Sequence, residues 1–151
     1  MADELIMGID AGTSRIRVLV FEMDGTVVAQ GSSEPKVDRP NPGWASTESE
    51  NLWSSCLEAM KVAVSEVAHP KRIRSIAVAS VGEAAVPLDG KGEPLYPVIA
   101  WYDARTADQV KWLEQKIGKQ RLFEITGLYP YPFFGVCKQM WIRDHEPEVF
   151  S

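Results

Sequence analysis

The stretch that decides the fold is Leu5-Ile6-Met7-Gly8-Ile9-Asp10, Ala11-Gly12-Thr13-Ser14, Ile16-Arg17-Val18-Leu19-Val20-Phe21-Glu22, Met23-Asp24-Gly25-Thr26, Val27-Val28-Ala29-Gln30-Gly31. Three apolar runs of strand length are separated by two short clusters of turn residues. The second cluster carries the Asp-Gly pair typical of a hairpin tip. Strands over 5–10, 16–22 and 27–31 joined by tight turns make an antiparallel meander.

Beyond the meander, Val37 to Ser46 holds Pro40, Pro42 and Gly43 and reads as an extended loop. Thr47 followed by Glu50 has the spacing of a capping box. Leu52, Trp53, Cys56, Leu57, Met60, Ala63, Val64 and Val67 then recur at helical spacing, and His69-Pro70 stops the helix. Ile73 to Val81 is a nearly continuous apolar run, which predicts a parallel strand buried on both faces. Meander, crossover helix and parallel strand together form the β-β-β-α-β unit that opens the actin-like ATPase (ribonuclease H-like) fold. The expected class is therefore α/β, the N-terminal part of the first domain of that fold. It differs from the alternating βαβ order of a dinucleotide-binding domain.

Further on, Val86 to Leu95 reads as a hairpin with Asp89-Gly90 at its tip, and Val98 to Trp101 as a short strand. Thr106 with Gln109 predicts a capped helix to about Ile117. A third helix runs from Lys119 to Thr126, where Gly127 ends it. Pro130 and Pro132 exclude a helix over Tyr129 to Phe134, and a last helix covers Val136 to His145, ahead of Pro147. Met60, Met140, Trp53, Trp112 and Trp141 read as helix-face packing, and His69 and His145 as partners of helix C-termini. No repeat or linker divides the 151 residues, so one α/β domain is expected.

Composition narrows the classes of function. Sixteen Lys+Arg against 21 Asp+Glu give a net charge of −5, which argues against a nucleic-acid or anionic-membrane surface. No apolar run approaches the roughly 18–20 residues of a spanning helix. Met1 to Glu4 is acidic and carries no signal-peptide pattern. Cys56 and Cys137 lack metal-ligand spacing and read as free, reduced thiols, so a cytoplasmic location is expected.

Five places can carry chemistry, one of them the Tyr129 to Phe134 segment, whose aromatics most simply pack the core or a site wall. Asp10-Ala11-Gly12-Thr13-Ser14, closing with Arg17, combines a Gly that allows close backbone approach with two hydroxyls, as phosphate binding requires. Asp10 at the strand end can orient a hydrated Mg²⁺, and Arg17 can meet a phosphoryl group. The same residues are also ordinary turn formers. Trp44 either anchors its loop or meets a ligand. Gly82 and Glu83 follow the end of a parallel strand, where ligands bind in open α/β sheets. Glu83 is either a ligand for sugar or polyol hydroxyls or a solvated loop acid. Trp101 can stack on a sugar ring and Asp103 can bind hydroxyls, with Arg105 bracing the loop; the alternative is a helix cap with an Asp–Arg pair.

The order of these signals is specific. Asp10-x-Gly-Thr-Ser, Pro42-Gly43-Trp44, Ile-Ala-Val-Ala-Ser before Val81, the hairpin Leu88-Asp-Gly-Lys-Gly-Glu-Pro-Leu-Tyr96 and Ile99-Ala-Trp-Tyr-Asp-Ala-Arg-Thr106 strongly resemble the N-terminal part of the FGGY carbohydrate kinases. The resemblance covers essentially the whole chain. It implies ATP- and Mg²⁺-dependent transfer of a γ-phosphoryl group to a sugar or polyol hydroxyl, and leaves room for a homodimer of the full-length protein. Asp10, Gly12, Thr13, Ser14 and Arg17 would form the phosphate loop. Gly82, Glu83, Trp101, Asp103 and Phe133 would line the sugar pocket. Glycerol kinases have Arg at the position of Gly82 and Tyr at that of Phe133, so glycerol is not the expected substrate. Xylulokinases have Gln-Met-His where this chain has Val81-Gly82-Glu83, which sets xylulose aside as well. The family's catalytic Asp and most of its adenine site come later than Ser151, so a fragment without turnover of its own is expected. Another actin-like phosphotransferase, or a non-catalytic sugar-binding or interaction module of the same fold, remain the alternatives.

Overall fold

The structure, a computed structural model, describes residues 4–151; the acidic start at Met1 to Asp3 lies outside them. In chain order the elements are β1 (Leu5–Ala11), β2 (Ile16–Glu22), β3 (Val27–Ser33), β4 (Ser46–Thr47), α1 (Ser49–Ser65), β5 (Ile73–Ser80), β6 (Val98–Ile99), α2 (Ala107–Ile117), α3 (Lys119–Thr126) and α4 (Gly135–His145), with short 3₁₀ turns at Pro70–Arg72 and Pro147–Phe150. They group into two compact units that interleave along the chain. One takes residues up to 37 and 49–81, the other 38–48 and 82–151. A single domain is what the sequence suggests, because the crossings between units fall in short connections with no linker composition.

The first unit is the expected opening of the actin-like fold. Its four-stranded sheet runs β3-β2-β1-β5, antiparallel through the meander and parallel between β1 and β5. At the β2–β3 hairpin, Gly25 takes φ 91° and its N–H donates to the Glu22 carbonyl at 3.0 Å. Asp24 Oδ1 accepts from the Thr26 N–H at 2.9 Å, and that bond holds its carboxyl below the usual carboxylate range. The Asp-Gly signal thus has a direct structural counterpart. Leu5, Met7 and Ile9 of β1 and Ile16, Val18 and Val20 of β2 alternate inward and form the core with Ala29, Ala59, Ala63 and Val67.

Helix α1 packs on β3 and β2. It begins at Ser49, with Thr47 drawn into β4, so the helix start falls later than the capping-box pattern suggests. Its buried stripe is Ser55, Ala59 and Ala63. Small residues are required there because α1 crosses β3 at Gly31. A Cβ on Gly31 would lie 2.1 Å from the Ala59 carbonyl oxygen and 2.7 Å from the Ala63 nitrogen. Trp53, two positions before Ser55, is turned about 200° away around the helix and is 58% exposed rather than packed.

The expectation of a doubly covered β5 needs correcting. Ile76 and Val78 are 52% and 64% exposed. Strand β5 forms an edge of the sheet, while α1 covers β2 and β3, so its apolar run has no cover from the described residues.

The second unit has a two-stranded antiparallel sheet, β4 with β6, and three helices. Its core joins Ile99, Trp141 and Ile142 with Trp44, Tyr96 and Val149. The 86–95 hairpin is present as a bridge between Leu88 and Pro94, with the left-handed residue at Gly92 rather than Gly90. Asp89 Oδ1 accepts from the N–H groups of Lys91 and Glu93, both at 2.8 Å. Thr106 occupies the N-cap position of α2 without capping it by side chain. Its hydroxyl donates instead to the Pro132 carbonyl at 2.7 Å, satisfying an acceptor in the irregular aromatic segment. Gln109 turns inward to Asp144 at 3.3 Å, so no capping box forms. Trp112 is 47% exposed, because the buried face of α2 is Gln109 and Leu113. Gly127 ends α3 at φ 74°, and residues 129–134 contain no helix, both as expected. His145 lies in the last turn of α4 with its Nδ1 2.9 Å from the Trp141 carbonyl.

Candidate functional site

In the first unit the candidate residues sit at the β1–β2 turn. The strand register ends at Ala11 opposite Ile16, so Gly12, Thr13 and Ser14 leave the ladder with their backbone N–H groups outside it. A Cβ on Gly12 would stand 2.8 Å from the Arg15 carbonyl oxygen, so only glycine keeps the turn this tight. Thr13 is buried and Ser14 exposed, so only Ser14 presents a hydroxyl freely at the surface. Asp10 and Arg17 are cross-strand partners, both exposed, and line a shallow cleft of about 440 Å³ with Gly8, Leu19 and Phe21. Arg15 is taken up by Glu34 at 2.5 Å, which leaves Arg17 as the turn's phosphate-facing candidate.

Among the described residues, no group of three or more His, Cys, Asp or Glu is placed to hold a metal ion. One exposed carboxylate beside a glycine-tight turn suits Mg²⁺, which keeps most of its waters and takes few protein carboxylates. Asp10 meets that description.

In the second unit, Asp103 and Arg105 are committed to each other. Asp103 Oδ2 accepts from the Ala45 N–H at 2.5 Å and from Arg105 at 2.9 Å. Its Oδ1 accepts from the Arg105 backbone N–H at 2.8 Å and from Nε at 3.0 Å. Four donors saturate a carboxylate. The two side chains are 0% and 2% exposed. The guanidinium lies 4.2 Å from the Trp44 ring and 5.0 Å from the Trp141 ring. Trp44 is therefore a loop anchor held by cation–π and edge-to-face contacts. The geometry gives Asp103 the bracing arrangement, because neither oxygen is left for a hydroxyl.

Glu83 is placed differently. It takes φ 60° without being glycine, and its Oε2 accepts from the Gly135 N–H at the start of α4. No donor among the described residues reaches Oε1. A Cβ on Gly82 would meet nothing within 4 Å. Phe133 lies in the aromatic run just before α4, stacked on Tyr131 and edge-on to Phe134. Trp101 is 47% exposed, with its ring edge-on to Tyr102 at 5.6 Å. The start of α4 thus collects Glu83 and Phe133 from positions fifty residues apart, whereas Asp103 is held within the Trp44–Trp141 core.

Lys138 completes this arrangement. Sequence reading assigns it no role. It is 5% exposed, and its Nζ donates to the Glu83 carbonyl. Burial pushes its ammonium below the usual lysine range, against the opposing pull of Glu83 and Asp103. The available signal is a lysine one helical turn into α4, on the same side as the buried Cys137 and Trp141. The unfolded chain binds more protons at Lys138 than the folded chain at pH values below the ordinary 10.5. Its contribution therefore raises stability as pH climbs toward that value. Urea unfolding of the wild type and Lys138→Met between about pH 8 and 10 should show a steeper rise for the wild type; parallel curves would contradict the burial penalty.

Comparison with known proteins follows the same lines. The sequence profile described as the FGGY family of carbohydrate kinases, N-terminal domain, matches residues 5–151. A glycerol kinase from Saccharolobus islandicus is 33% identical over 150 residues, covering 99% of this chain and 30% of that protein. A xylulose kinase from Escherichia coli is 33% identical over 146 residues, with 97% and 30% covered. The crystal structure of xylulose kinase from Rhodospirillum rubrum superposes with a TM-score of 0.89 at 28% identity, over 97% of this chain and 30% of that one. The chain spans about 30% of the length of the curated relatives it matches. With its meander, crossover helix and parallel strand in the actin-like order, this chain belongs to the FGGY family of carbohydrate kinases and corresponds to their N-terminal domain.

Proposed function

We propose that the protein containing this chain transfers the γ-phosphoryl group of ATP to a hydroxyl of a sugar or polyol. The observation that carries the reading is the β1–β2 turn, where Gly12 has no room for a Cβ and Asp10, Ser14 and Arg17 stand exposed around it. Asp10 would hold hydrated Mg²⁺, and the backbone N–H groups of Gly12 to Ser14 with the Ser14 hydroxyl and Arg17 would meet phosphate oxygens. When bound, Mg²⁺ would neutralise charge developing on the transferred phosphoryl group.

On the acceptor side, Glu83 Oε1 is the hydroxyl ligand, Trp101 the stacking face and Phe133 an apolar wall. The space beside Gly82 supports a substrate bulkier than glycerol. Asp103 serves by holding the Trp101 loop in shape rather than by touching substrate.

The test is ADP release by the full-length protein over a panel of sugars and polyols. Asp10→Ala should lower kcat by about two orders of magnitude or more with little change in sugar KM, since it acts on the transition state. The 151-residue chain alone should show no turnover, because positioning the acceptor without the adenine half does not assemble the reaction. Full activity of Asp10→Ala would overturn the reading, whereas robust Mg²⁺-dependent turnover by the isolated chain would overturn only the expectation that it is inactive alone.

A further inference from the structure

We propose that Lys138 is a positioning residue which, with Gly135, latches Glu83 so that one carboxylate oxygen is held and the other is presented to the acceptor hydroxyl. The inference rests on the kinase reading for the identity of that hydroxyl and on geometry alone for the latch. Glu83 sits in the left-handed region, at φ 60°, where a residue with a Cβ persists only if its surroundings over-determine it. Two contacts do so from one turn of α4. The Lys138 ammonium takes the Glu83 carbonyl, and the Gly135 N–H takes Oε2.

Glycine at 135 is part of the device. A Cβ there would lie 2.8 Å from Oε2, so any larger residue pushes the carboxylate off the helix start. The helix N-terminus in turn favours a negative group at that point. Around Lys138 stand Glu83, Asp103, Arg105 and Cys137, the charged or titratable groups that act on it. Two carboxylates and two cations balance, so the ammonium is buried without net charge, while Oε1 of Glu83 stays open. Lysine has three donors, and a thioether or methyl in its place offers none to the carbonyl.

The latch is tested from both sides with Lys138→Met, Lys138→Arg and Gly135→Ala. Amide hydrogen exchange of Gly135 in the 151-residue chain should accelerate about ten-fold or more in Lys138→Met and Gly135→Ala, with the amides of Val18 and Val20 in β2 unchanged. Gly135→Ala is the sharper arm, because alanine ordinarily strengthens a helix. In the full-length protein both variants should raise sugar KM about ten-fold while ATP KM holds, and Lys138→Arg should recover part of the loss. Unchanged Gly135 exchange would overturn the latch. Faster exchange with sugar KM unmoved, or sugar and ATP KM rising together, would overturn positioning. If the wild-type protein phosphorylates no acceptor of the panel, the kinase reading fails instead, and Gly135 exchange alone decides the latch.

Discussion

Gly31→Val should destabilise the first unit by about 3 kcal/mol or more, the upper range of overpacking costs, because the clash is with backbone. The added Cβ would meet the Ala59 carbonyl oxygen at 2.1 Å and the Ala63 nitrogen at 2.7 Å, neither of which can swing aside as a side-chain tip can. Relieving it requires lifting α1 from β3, and with it the inward stripe Ser55, Ala59 and Ala63. Gly90→Ala is the matched control: a Cβ there meets nothing within 4 Å, and its effect should stay within about 0.5 kcal/mol. Urea unfolding followed by circular dichroism measures both. Equal midpoints for Gly31→Val and wild type would refute the close crossing.

The second large effect is Asp103→Ala, expected to cost about 3–5 kcal/mol, as when one partner of a buried ion pair is removed. The Arg105 guanidinium would stay between Trp44 and Trp141 without a countercharge, and the Ala45 N–H would lose its acceptor. The double variant Asp103→Ala/Arg105→Met should recover part of the loss, since the unpaired charge is then gone. This separates a brace from a hydroxyl ligand. A brace shows as a lower melting temperature at any sugar concentration; a ligand shows as a raised sugar KM in a protein of normal stability. Unchanged melting in Asp103→Ala would return Asp103 to the acceptor side.

Much of the first unit is legible in the chain because its signals are local. Strand alternation in Leu5–Ala11 and Ile16–Glu22, the Asp24-Gly25 turn and the helical recurrence after Ser49 each depend on a few neighbouring residues. The β1–β2 turn is legible for the same reason, since Gly12 and its hydroxyl neighbours are contiguous. Trp53 and Trp112 show the limit of periodicity: it says that a helix has an apolar side but not which residues touch the partner. That choice was made by how closely α1 approaches Gly31 and by which side of α2 turns inward. The exposure of Ile76 and Val78 has a related cause, because an apolar run does not reveal whether its strand lies at an edge.

Residue type and order alone determined the meander–helix–strand topology, the kinship with carbohydrate kinases, and the candidates Asp10, Gly12 and Glu83. Only the tertiary structure decided what the charged residues of the second unit do. Asp103, read as a hydroxyl ligand, is saturated by Ala45 and Arg105; Lys138, given no role, holds the Glu83 carbonyl; Glu83 keeps one oxygen for α4 and one open. The physical reason is that a carboxylate's role depends on which donors surround it. Those donors come from the residue before β4, the Trp101 loop and the first turn of α4, segments that meet only when the chain is folded.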